Sequence, residues 1–292
     1  MLSLVLPKGS LESQTLKLFE EADLPVRRGS GNEYNATIAD PRIARVKVLR
    51  PQEIPPFVQQ GYFDLGIAGL DWVRETDSDV VEVMELGGSG RETGQRVKIV
   101  LAVPGDRGID DPKMLPAGTR VATEYPELTR RYFAGLGIPA KVFLSYGATE
   151  AKVPEIVDAI VEVTETGSTL RRNGMRIVDV LLESTLKLIA NKEAWADPEK
   201  RAEIEEIATL LNGVLNARGK VLIKLNVAEE RLQEVVAVLP SAKSPTISRL
   251  YGSNYYAVET VAVKSTINVL IPELKKRGAE DILELPITKI VG

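Results

Sequence analysis

The segment from Val157 to Leu170, VDAIVEVTETGSTL, combines residue types that could bind a phosphorylated sugar. Its first half alternates in period two, which predicts a strand with Asp158 and Glu162 on the same face. A TGST sequence follows, and its Gly167 would let the backbone approach a ligand closely. A helix that begins near Thr169 would point unpaired N–H groups and the positive end of its dipole at the same place. The hydroxyls would then hold a phosphate, and the acids would hold ribose hydroxyls or a bound Mg²⁺.

The same segment has a second interpretation. T-G-x-T sequences are common, and an ordinary strand, a turn and a Ser or Thr helix cap would produce one without any ligand. The segment alone does not decide between a phosphate site and a capped helix, so the rest of the chain has to.

The composition restricts the chemistry that such a site can use. The chain has 292 residues, with no cysteine and no histidine. Disulfides, thiolate catalysis and Ser-His or Cys-His nucleophile systems are therefore excluded, and we expect no zinc site. Carboxylates, Lys, Arg, hydroxyls, backbone amides and oxygen-bound cations remain. Mg²⁺ carried on a phosphorylated substrate fits this set.

Charge and hydropathy argue against several classes of protein. The 37 basic and 41 acidic residues give a net charge of −4, so no basic excess indicates a nucleic-acid partner. The first ten residues, MLSLVLPKGS, lack the charged start and apolar core of a signal peptide. No apolar run approaches the ~20 residues that span a bilayer. We therefore expect a cytoplasmic protein without a membrane partner, large enough for two or three cored domains.

Alternating strands and helices must position these groups. Leu2 to Leu6 predicts a strand, and Lys8 follows it at a turn that could bind an anion or simply lead into a helix. Thr123 and Tyr125 lie at another strand-to-helix junction, where open α/β sheets bind ligands. Ile177 to Ala190 predicts one long strand that crosses back between domains.

The end of the chain shows a pattern of its own. From Lys220 to Gly292 we predict the order strand, helix, strand, strand, helix, strand, which is the ferredoxin-like order βαββαβ. It follows a predicted linker helix that Gly219 terminates. A sensing or assembly domain is one interpretation and a plain dimerisation domain is the other, because a fold does not determine a function.

Several segments of the chain, taken together and in order, carry a family resemblance. In the first part they are Arg50–Pro55, Asp64–Gly69, Ala122–Pro126 and Val157–Leu170, and in the tail they are Ser244–Thr246 and Gly278–Ile287. The first four closely resemble the ATP phosphoribosyltransferases, which catalyse the committed first step of histidine biosynthesis. The tail segments resemble the regulatory domain of the long form of that family, so the resemblance covers essentially the whole chain.

The resemblance implies an α/β fold in two parts. A two-lobed catalytic part, like a periplasmic binding protein, would precede a ferredoxin-like regulatory domain. The expected boundaries are 1–95 with 178–218 for lobe I, 96–177 for lobe II with its phosphoribosyl-binding loop, and 219–292 for the regulatory domain. By analogy we also expect a homo-oligomer, either a hexamer or a dimer.

The resemblance also implies the reaction. ATP and 5-phosphoribosyl 1-pyrophosphate would be the substrates, N1 of the adenine would attack C1′ of the ribose, and pyrophosphate would leave. Mg²⁺ would be carried by the substrate, near Asp158, without an assigned protein ligand. A protein without histidine can do this, because the attacking ring nitrogen already has a lone pair.

The resemblance assigns three sets of residues. The phosphoribosyl set is Asp158, Glu162, Glu165, Thr166, Gly167, Ser168, Thr169 and Leu170. The set on the ATP and pyrophosphate side is Lys8, Arg50, Thr123, Tyr125 and Glu150. Free histidine, as a feedback inhibitor, is expected at Asn226, Ala242, Thr246 and Asp281. One departure concerns Gly29 to Tyr34, where many family members have an arginine shortly before the tyrosine and this chain has Asn32 and Glu33. The ligand role of that loop therefore stays open.

A function from another class remains as the alternative. The chain could be a non-catalytic cytoplasmic protein that binds a nucleotide or another solute and carries an amino-acid-sensing tail. The release of pyrophosphate on mixing both substrates would distinguish an enzyme from such a binder.

Overall fold

The computed structural model describes residues 1–29, 33–88, 96–240 and 244–292. Within these residues the chain forms two compact units, Met1–Ala208 and Thr209–Gly292. The division falls inside one helix, Pro198–Ala217, rather than at its end. Both units mix strands and helices, so the predicted α/β class is confirmed.

The first unit contains the following elements in its described residues. The strands are β1 Leu2–Pro7, β2 Val26–Arg27, β3 Asn35–Ile38, β4 Ile43–Leu49, β5 Leu65–Gly69, β6 Val81–Gly88, β7 Val97–Pro104, β8 Thr119–Thr123, β9 Ala140–Leu144, β10 Ala159–Thr164 and β11 Met175–Ala190. The helices are α1 Glu12–Glu21, α2 Ile54–Gln59, α3 Leu70–Glu75, α4 Pro126–Leu136, α5 Ser168–Arg172, α6 Lys192–Ala196 and α7 Pro198–Ala217, the last shared with the second unit. Short 3-10 helices lie at Gly9–Leu11, Pro51–Glu53, Gly105–Arg107, Pro112–Met114 and Thr149–Lys152.

The strand β11 joins two groups of strands, which we call lobe I and lobe II. Up to Ser184 it pairs with β7, and from Leu186 it pairs with β5. The strand order is β2-β3-β4-β1-β5-β11-β7-β10-β8-β9, and β6 also pairs with β11. Lobe I therefore holds β1 to β6 and lobe II holds β7 to β10. The predicted long crossing strand is confirmed, and the predicted boundary near residue 178 falls inside it.

Each lobe has a core of its own. In lobe II, Leu101 of β7 packs with Val161 and Phe133 in one buried cluster, while the next residue of β7, Ala102, belongs to a second cluster. The strand β7 is therefore buried on both faces, which explains its almost unbroken apolar sequence. In lobe I, Val5 of β1 belongs to a separate cluster with residues of α2 and β5.

An acidic side chain secures lobe I at the start of β5. The carboxylate of Asp64 accepts hydrogen bonds from the Ser3 amide at 2.8 Å, the Ser3 hydroxyl at 2.7 Å and Lys200 Nζ at 2.7 Å. Burial raises the pKa of Asp64, but the bonds from Lys200 and Ser3 outweigh burial and leave this pKa lowered. Asp64 thus links β1, β5 and α7 through its hydrogen bonds to Ser3 and its ion pair with Lys200.

The second unit has the predicted ferredoxin-like order. After α7 its elements are β12 Lys220–Ala228, α8 Leu232–Val236, β13 Thr246–Arg249, β14 Tyr255–Val263, α9 Ile267–Lys276 and β15 Ala279–Pro286. The four strands form an antiparallel sheet in the order β13-β14-β12-β15. Its core includes Ile223, Val258 and Leu274. The βαββαβ prediction is confirmed.

Candidate active site

A cavity of about 670 Å³ lies in the first unit and is lined by residues of both lobes. Lobe I contributes the segments that follow β1, β4 and β5. Lobe II contributes the segments around the ends of β8, β9 and β10. The lining residues are Lys8, Ser10, Leu11, Arg50, Pro51, Gln52, Asp71, Trp72, Val97, Glu124, Tyr125, Gly147, Ala148, Glu150, Glu162, Val163, Thr164, Glu165, Thr166, Ser168, Thr169 and Leu170.

The loop between β10 and α5 follows the sequence expectation closely. Gly167 lies directly before the helix with φ of 73°, and its amide donates to Thr164 Oγ1 at 2.8 Å. This positive φ favours glycine, and a Cβ atom at this position would also lie 2.9 Å from Ile177 Cδ1, so the end of that side chain would have to shift. The helix begins at Ser168, and the first amides of a helix have no acceptor within it.

Most of the predicted phosphoribosyl set reaches the cavity. The residues that line it are Glu162, Glu165, Thr166, Ser168, Thr169 and Leu170. Gly167 is not a lining residue, and its contribution is the turn that presents its neighbours. The loop thus places hydroxyl groups and amides together on one side of the cavity.

Asp158 does not join this set, and its predicted place beside the ribose is corrected by the structure. It precedes β10, whereas the first residue of that strand that lines the cavity, Glu162, lies four positions further along, about 13 Å away at ~3.3 Å per residue. Its carboxylate accepts from the backbone amide of Arg120 at 2.9 Å and from the guanidinium at 3.1 and 2.9 Å. Arg107 lies 3.9 Å from the same carboxylate. Asp158 is therefore an ion-paired structural residue of lobe II.

Three glutamates of lobe II make one side of the cavity acidic. Glu162 lies on β10, Glu124 follows β8, and Glu150 lies in the 3-10 helix after β9. Burial raises the pKa of Glu162, and Glu124 and Glu150 raise it further, while the Val163 amide and the Thr149 hydroxyl lower it. Burial also raises the pKa of Glu124. Such partly desolvated acids are suited to supporting a positive charge that develops nearby.

Lobe I provides the basic groups. Lys8 follows β1 and Arg50 follows β4, and both line the cavity as predicted residues of the nucleotide and pyrophosphate side. The Nζ of Lys8 lies 4.5 Å from the centre of the Tyr34 ring, a cation–π distance. This contact brings one end of the 29–34 loop beside Lys8. Residues 30–32 of that loop lie outside the described residues.

Two predicted residues at the end of β8 form a link between the lobes. Thr123 is fully buried, does not line the cavity, and its hydroxyl accepts from the Tyr125 amide at 2.9 Å. The Tyr125 hydroxyl donates to Asp71 Oδ2 at 2.9 Å, and Ser184 Oγ donates to Asp71 Oδ1 at 2.8 Å. Burial raises the pKa of Tyr125 well above its ordinary value, and the neighbouring Asp71 raises it further. The Trp72 ring packs 4.8 Å from the Tyr125 ring.

The sequence interpretation missed several lining residues. Asp71, Trp72, Gly147 and Ala148 line the cavity but are not among the predicted site residues. A signal for the first pair existed, because they follow the glycine turn that ends β5, a position equivalent to that of Lys8 after β1. In the described part of the chain, no three His, Cys, Asp or Glu side chains are grouped so that they could hold a metal ion. None of its helices has the length and apolar composition to span a bilayer.

Comparison with known proteins identifies the family. The model described as ATP phosphoribosyltransferase matches residues 50–213, and the model described as HisG, C-terminal domain, matches residues 217–289. The ATP phosphoribosyltransferase of Desulforudis audaxviator is 46% identical over 99% of both chains, and that of Pelotomaculum thermopropionicum is 45% identical over 99% of both. The chain belongs to the ATP phosphoribosyltransferase family. As a member with the C-terminal domain, it is a pentosyltransferase of the long form that acts in the first step of histidine biosynthesis.

A solved structure supports the fold of this ATP phosphoribosyltransferase. The ATP phosphoribosyl transferase (HisG:HisZ) complex from Thermotoga maritima contains a chain that is 23% identical and superposes with a TM-score of 0.59. The match covers 71% of this chain and 98% of that one. The matched part of this chain thus shares its fold with a chain of that complex.

The predicted histidine-binding residues of this ATP phosphoribosyltransferase do not form one cluster within the second unit. Asn226 Nδ2 donates to Asp281 Oδ2 at 3.0 Å, so these two residues are together. Thr246 begins β13, at the edge of the sheet opposite to β15, three strand spacings or about 14 Å away. Ala242 lies outside the described residues.

The ion pair of Asp158 leads to a prediction about pH. Hydrogen bonds from Arg120 outweigh burial and lower the pKa of Asp158 to about 2, whereas an unfolded chain has a value of about 3.9. The pair therefore stabilises the fold above pH ~4, and this stabilisation is lost as the pH falls through about 2. We expect Asp158→Asn to reduce the free energy of unfolding by roughly 1–2 kcal/mol at pH 7, and by progressively less below pH 4.

Urea unfolding measured between pH 3 and pH 7 checks this expectation. Glu155→Gln is the control, because it removes a charge from an exposed side chain on the approach to the same strand. Turnover by the Asp158→Asn enzyme should stay within about twofold of the unmodified enzyme once folding is intact. If Asp158→Asn left the stability unchanged but caused a large loss of turnover, Asp158 would belong to the active site after all.

Proposed function

We propose that the cavity binds 5-phosphoribosyl 1-pyrophosphate and ATP, and that N1 of the adenine displaces pyrophosphate from C1′ of the ribose. The observation that carries this proposal is the distribution of charge within one cavity. A loop rich in hydroxyls and helix amides, partly desolvated carboxylates and two basic side chains line it together. These are the groups that a sugar phosphate, a developing carbocation and a leaving pyrophosphate each require.

The 5-phosphate is assigned to the loop from Glu165 to Thr169. Its support is that Thr166, Ser168 and Thr169 all line the cavity at the start of α5. Phosphates bind well at helix starts, since free amides and the positive end of the helix dipole point at the anion. Gly167 lets that backbone turn toward the ligand.

The glycosyl transfer then needs little more than charge support and exclusion of water. As the bond from C1′ to the pyrophosphate oxygen breaks, its electron pair leaves with pyrophosphate and positive charge develops on the ribose. The Glu162 carboxylate supports that charge electrostatically. The lone pair of adenine N1 forms the new bond to C1′. No side chain has to remove a proton before this attack.

The pyrophosphate is proposed to arrive as its magnesium complex. Glu124, Glu150 and Glu162 would repel a bare pyrophosphate, and bound Mg²⁺ reduces the charge that they face. Lys8 and Arg50 of lobe I can then bind the leaving group and hold it away from the ribose as the bond breaks. The metal is a part of the substrate in this proposal.

The activity itself provides the first test. Purified protein should release pyrophosphate only when ATP, 5-phosphoribosyl 1-pyrophosphate and Mg²⁺ are all present, as measured by a coupled pyrophosphate assay. Excess EDTA should abolish the release, and an excess of Mg²⁺ added afterwards should restore it. Release that persists in EDTA would contradict the proposed role of magnesium.

The phosphate loop provides the second test. Thr169→Val removes one hydroxyl from an exposed position, so the fold should not change. The loss of a hydrogen bond to a charged group, worth ~1.5–3 kcal/mol, should raise the KM for 5-phosphoribosyl 1-pyrophosphate roughly ten- to hundredfold. The KM for ATP is the internal control and should stay within about threefold. Equal increases in both KM values would show that the loop does not bind the phosphate specifically.

We further propose that free histidine inhibits the enzyme through the second unit. Asn226 and Asp281 are in contact and offer an amide and a carboxylate to the ligand, while Thr246 lies at the other edge of the sheet. One histidine could meet all three only if two copies of the unit came together, which supports the predicted homo-oligomer. Inhibition would then result from a shift toward one arrangement of subunits.

Calorimetric titration with histidine tests this regulation. The unmodified protein should bind histidine, and Thr246→Ala should weaken that binding roughly tenfold, because one hydrogen bond is lost. Thr266→Ala is the matched control, since Thr266 is an exposed threonine of the same unit whose hydroxyl, among the described residues, bonds to the Val263 carbonyl. Equal affinities for the two variants would remove Thr246 from the site. Absence of binding to the unmodified protein would remove the regulatory proposal.

A further inference from the structure

The helix α4 of lobe II is capped by a side chain of lobe I. Tyr125 occupies the position before the helix, and among the described residues its side chain makes no capping hydrogen bond. The amides of Glu127 and Leu128 donate instead to the Glu75 carboxylate, at 3.0 and 2.9 Å. Glu75 is the last residue of α3 and is 7% exposed. These amides are the second and third of α4, the ones that a capping side chain ordinarily binds.

Further polar contacts join the same two helices. Arg131, one turn further along α4, donates to the backbone carbonyl of Arg74 in α3, and its guanidinium lies 3.9 Å from Asp77. At the start of α3, the Asp71 carboxylate accepts from the Tyr125 hydroxyl at 2.9 Å. The two lobes therefore meet at a contact in which each helix donates or accepts along the whole length of α3.

The start of α4 is connected to the cavity by a well-held segment. Tyr125 lines the cavity, and so does Glu124 directly before it. The Tyr125 amide donates to Thr123 Oγ1 at 2.9 Å, and the Tyr125 carbonyl accepts from the Thr129 hydroxyl at 2.7 Å. Both threonines are fully buried. Because the segment is held on both sides of Tyr125, a shift of α4 would move Glu124 and Tyr125 with it.

The position of Glu75 favours a carboxylate over other side chains. A buried charge is costly unless its hydrogen bonds are made, and both amides that bind Glu75 lie at the positive end of the α4 dipole. A glutamine of the same shape could accept from one amide only, because its NH₂ group would face the other. Glu75 does not line the cavity, so a contact with substrate does not explain its burial.

We propose that Glu75 is a positioning residue: by capping α4 across the lobe boundary, it holds Glu124 and Tyr125 at a fixed distance from the basic groups of lobe I. This inference rests on the function proposed above, in which lobe I binds the pyrophosphate and lobe II binds the ribose. Glu75 touches no substrate in this proposal. A step that uses groups of both lobes is sensitive to their spacing, since a displacement of about 1 Å can cost roughly a hundredfold in rate.

Steady-state kinetics of the full chain test this role. We expect Glu75→Ala to lower kcat roughly ten- to hundredfold, because the groups of the two lobes lose their fixed spacing. Glu75→Gln keeps one acceptor and should lose less than Glu75→Ala. Glu82→Ala is the matched control, since Glu82 pairs with Arg74 at 2.7 Å and with Lys187 at 3.5 Å, and both partners lie on the lobe I side. This exposed control should keep kcat within about twofold.

Binding of ribose 5-phosphate separates a loss of positioning from damage to lobe II. This probe carries the ribose and the 5-phosphate, which the proposed function assigns to lobe II alone. In calorimetric titration, the Kd of the Glu75→Ala protein for ribose 5-phosphate should stay within about threefold of the unmodified value while kcat falls. Equal losses of binding and of kcat would show that Glu75 only stabilises lobe II, and the positioning role would be wrong.

The fluorescence of Trp72 reports on the contact between the lobes without any substrate. The Trp72 ring packs 4.8 Å from the Tyr125 ring across the lobe boundary. The chain has two tryptophans, so Trp195→Phe leaves Trp72 as the single reporter. In this background Glu75→Ala should shift the emission to longer wavelength and increase quenching by acrylamide, whereas Glu82→Ala should do neither. Circular dichroism confirms that each variant is folded at the temperature used. Unchanged emission and quenching in folded Glu75→Ala protein would overturn the inference.

Two further outcomes distinguish the inference from the function on which it rests. If the unmodified protein releases pyrophosphate and Glu75→Ala leaves kcat unchanged, the positioning role is wrong and the proposed function stands. If the unmodified protein releases no pyrophosphate with both substrates and Mg²⁺ present, the proposed function is wrong and the positioning role is wrong with it, whatever the fluorescence of Trp72 shows.

Discussion

Two buried carboxylates of α3 hold the lobes in one arrangement. Asp71 accepts from Tyr125 of lobe II and from Ser184 of β11. Glu75, at the other end of the same helix, accepts from the first amides of α4, those of Glu127 at 3.0 Å and Leu128 at 2.9 Å. A buried carboxylate is costly without partners, so separating the lobes would expose or orphan both charges. The active site depends on this constraint, because each lobe supplies only part of it.

The division of chemical roles follows from that arrangement. Lys8 and Arg50 come from lobe I, whereas the phosphate loop and Glu162 come from lobe II. In the proposed function, neither lobe alone combines groups for the pyrophosphate with groups for the ribose. Hydrogen bonds at both ends of α3 hold the two lobes together, and groups that a fold holds in fixed positions stabilise a transition state most effectively.

Local patterns predicted much of the fold and part of the site. The glycine turn before α5, the long strand β11 and the order of the second unit are all encoded by neighbouring residues. The predictions that failed depended on which end of a strand meets the cavity, or on partners that lie far away in the sequence. Period-two alternation predicts that Asp158 and Glu162 share a face, but it does not tell which end of the strand meets the cavity. The partners of Asp71 lie 54 and 113 residues away, beyond the reach of any local pattern.

Acidic residues at the two ends of the strands show how the fold separates stability from function. At the starts of β5 and β10, Asp64 and Asp158 are held by Lys200 and Arg120, which lower their pKa values. At the end of β10, the described groups that act on Glu162 are amides, hydroxyls and other acids, and burial raises its pKa. A carboxylate that is ion-paired with a basic side chain stabilises the fold, and its hydrogen-bonding positions are then occupied by that partner. A carboxylate that is desolvated without a cation is a cost to the fold, and in the function proposed above the positive charge of the reacting ribose offsets that cost.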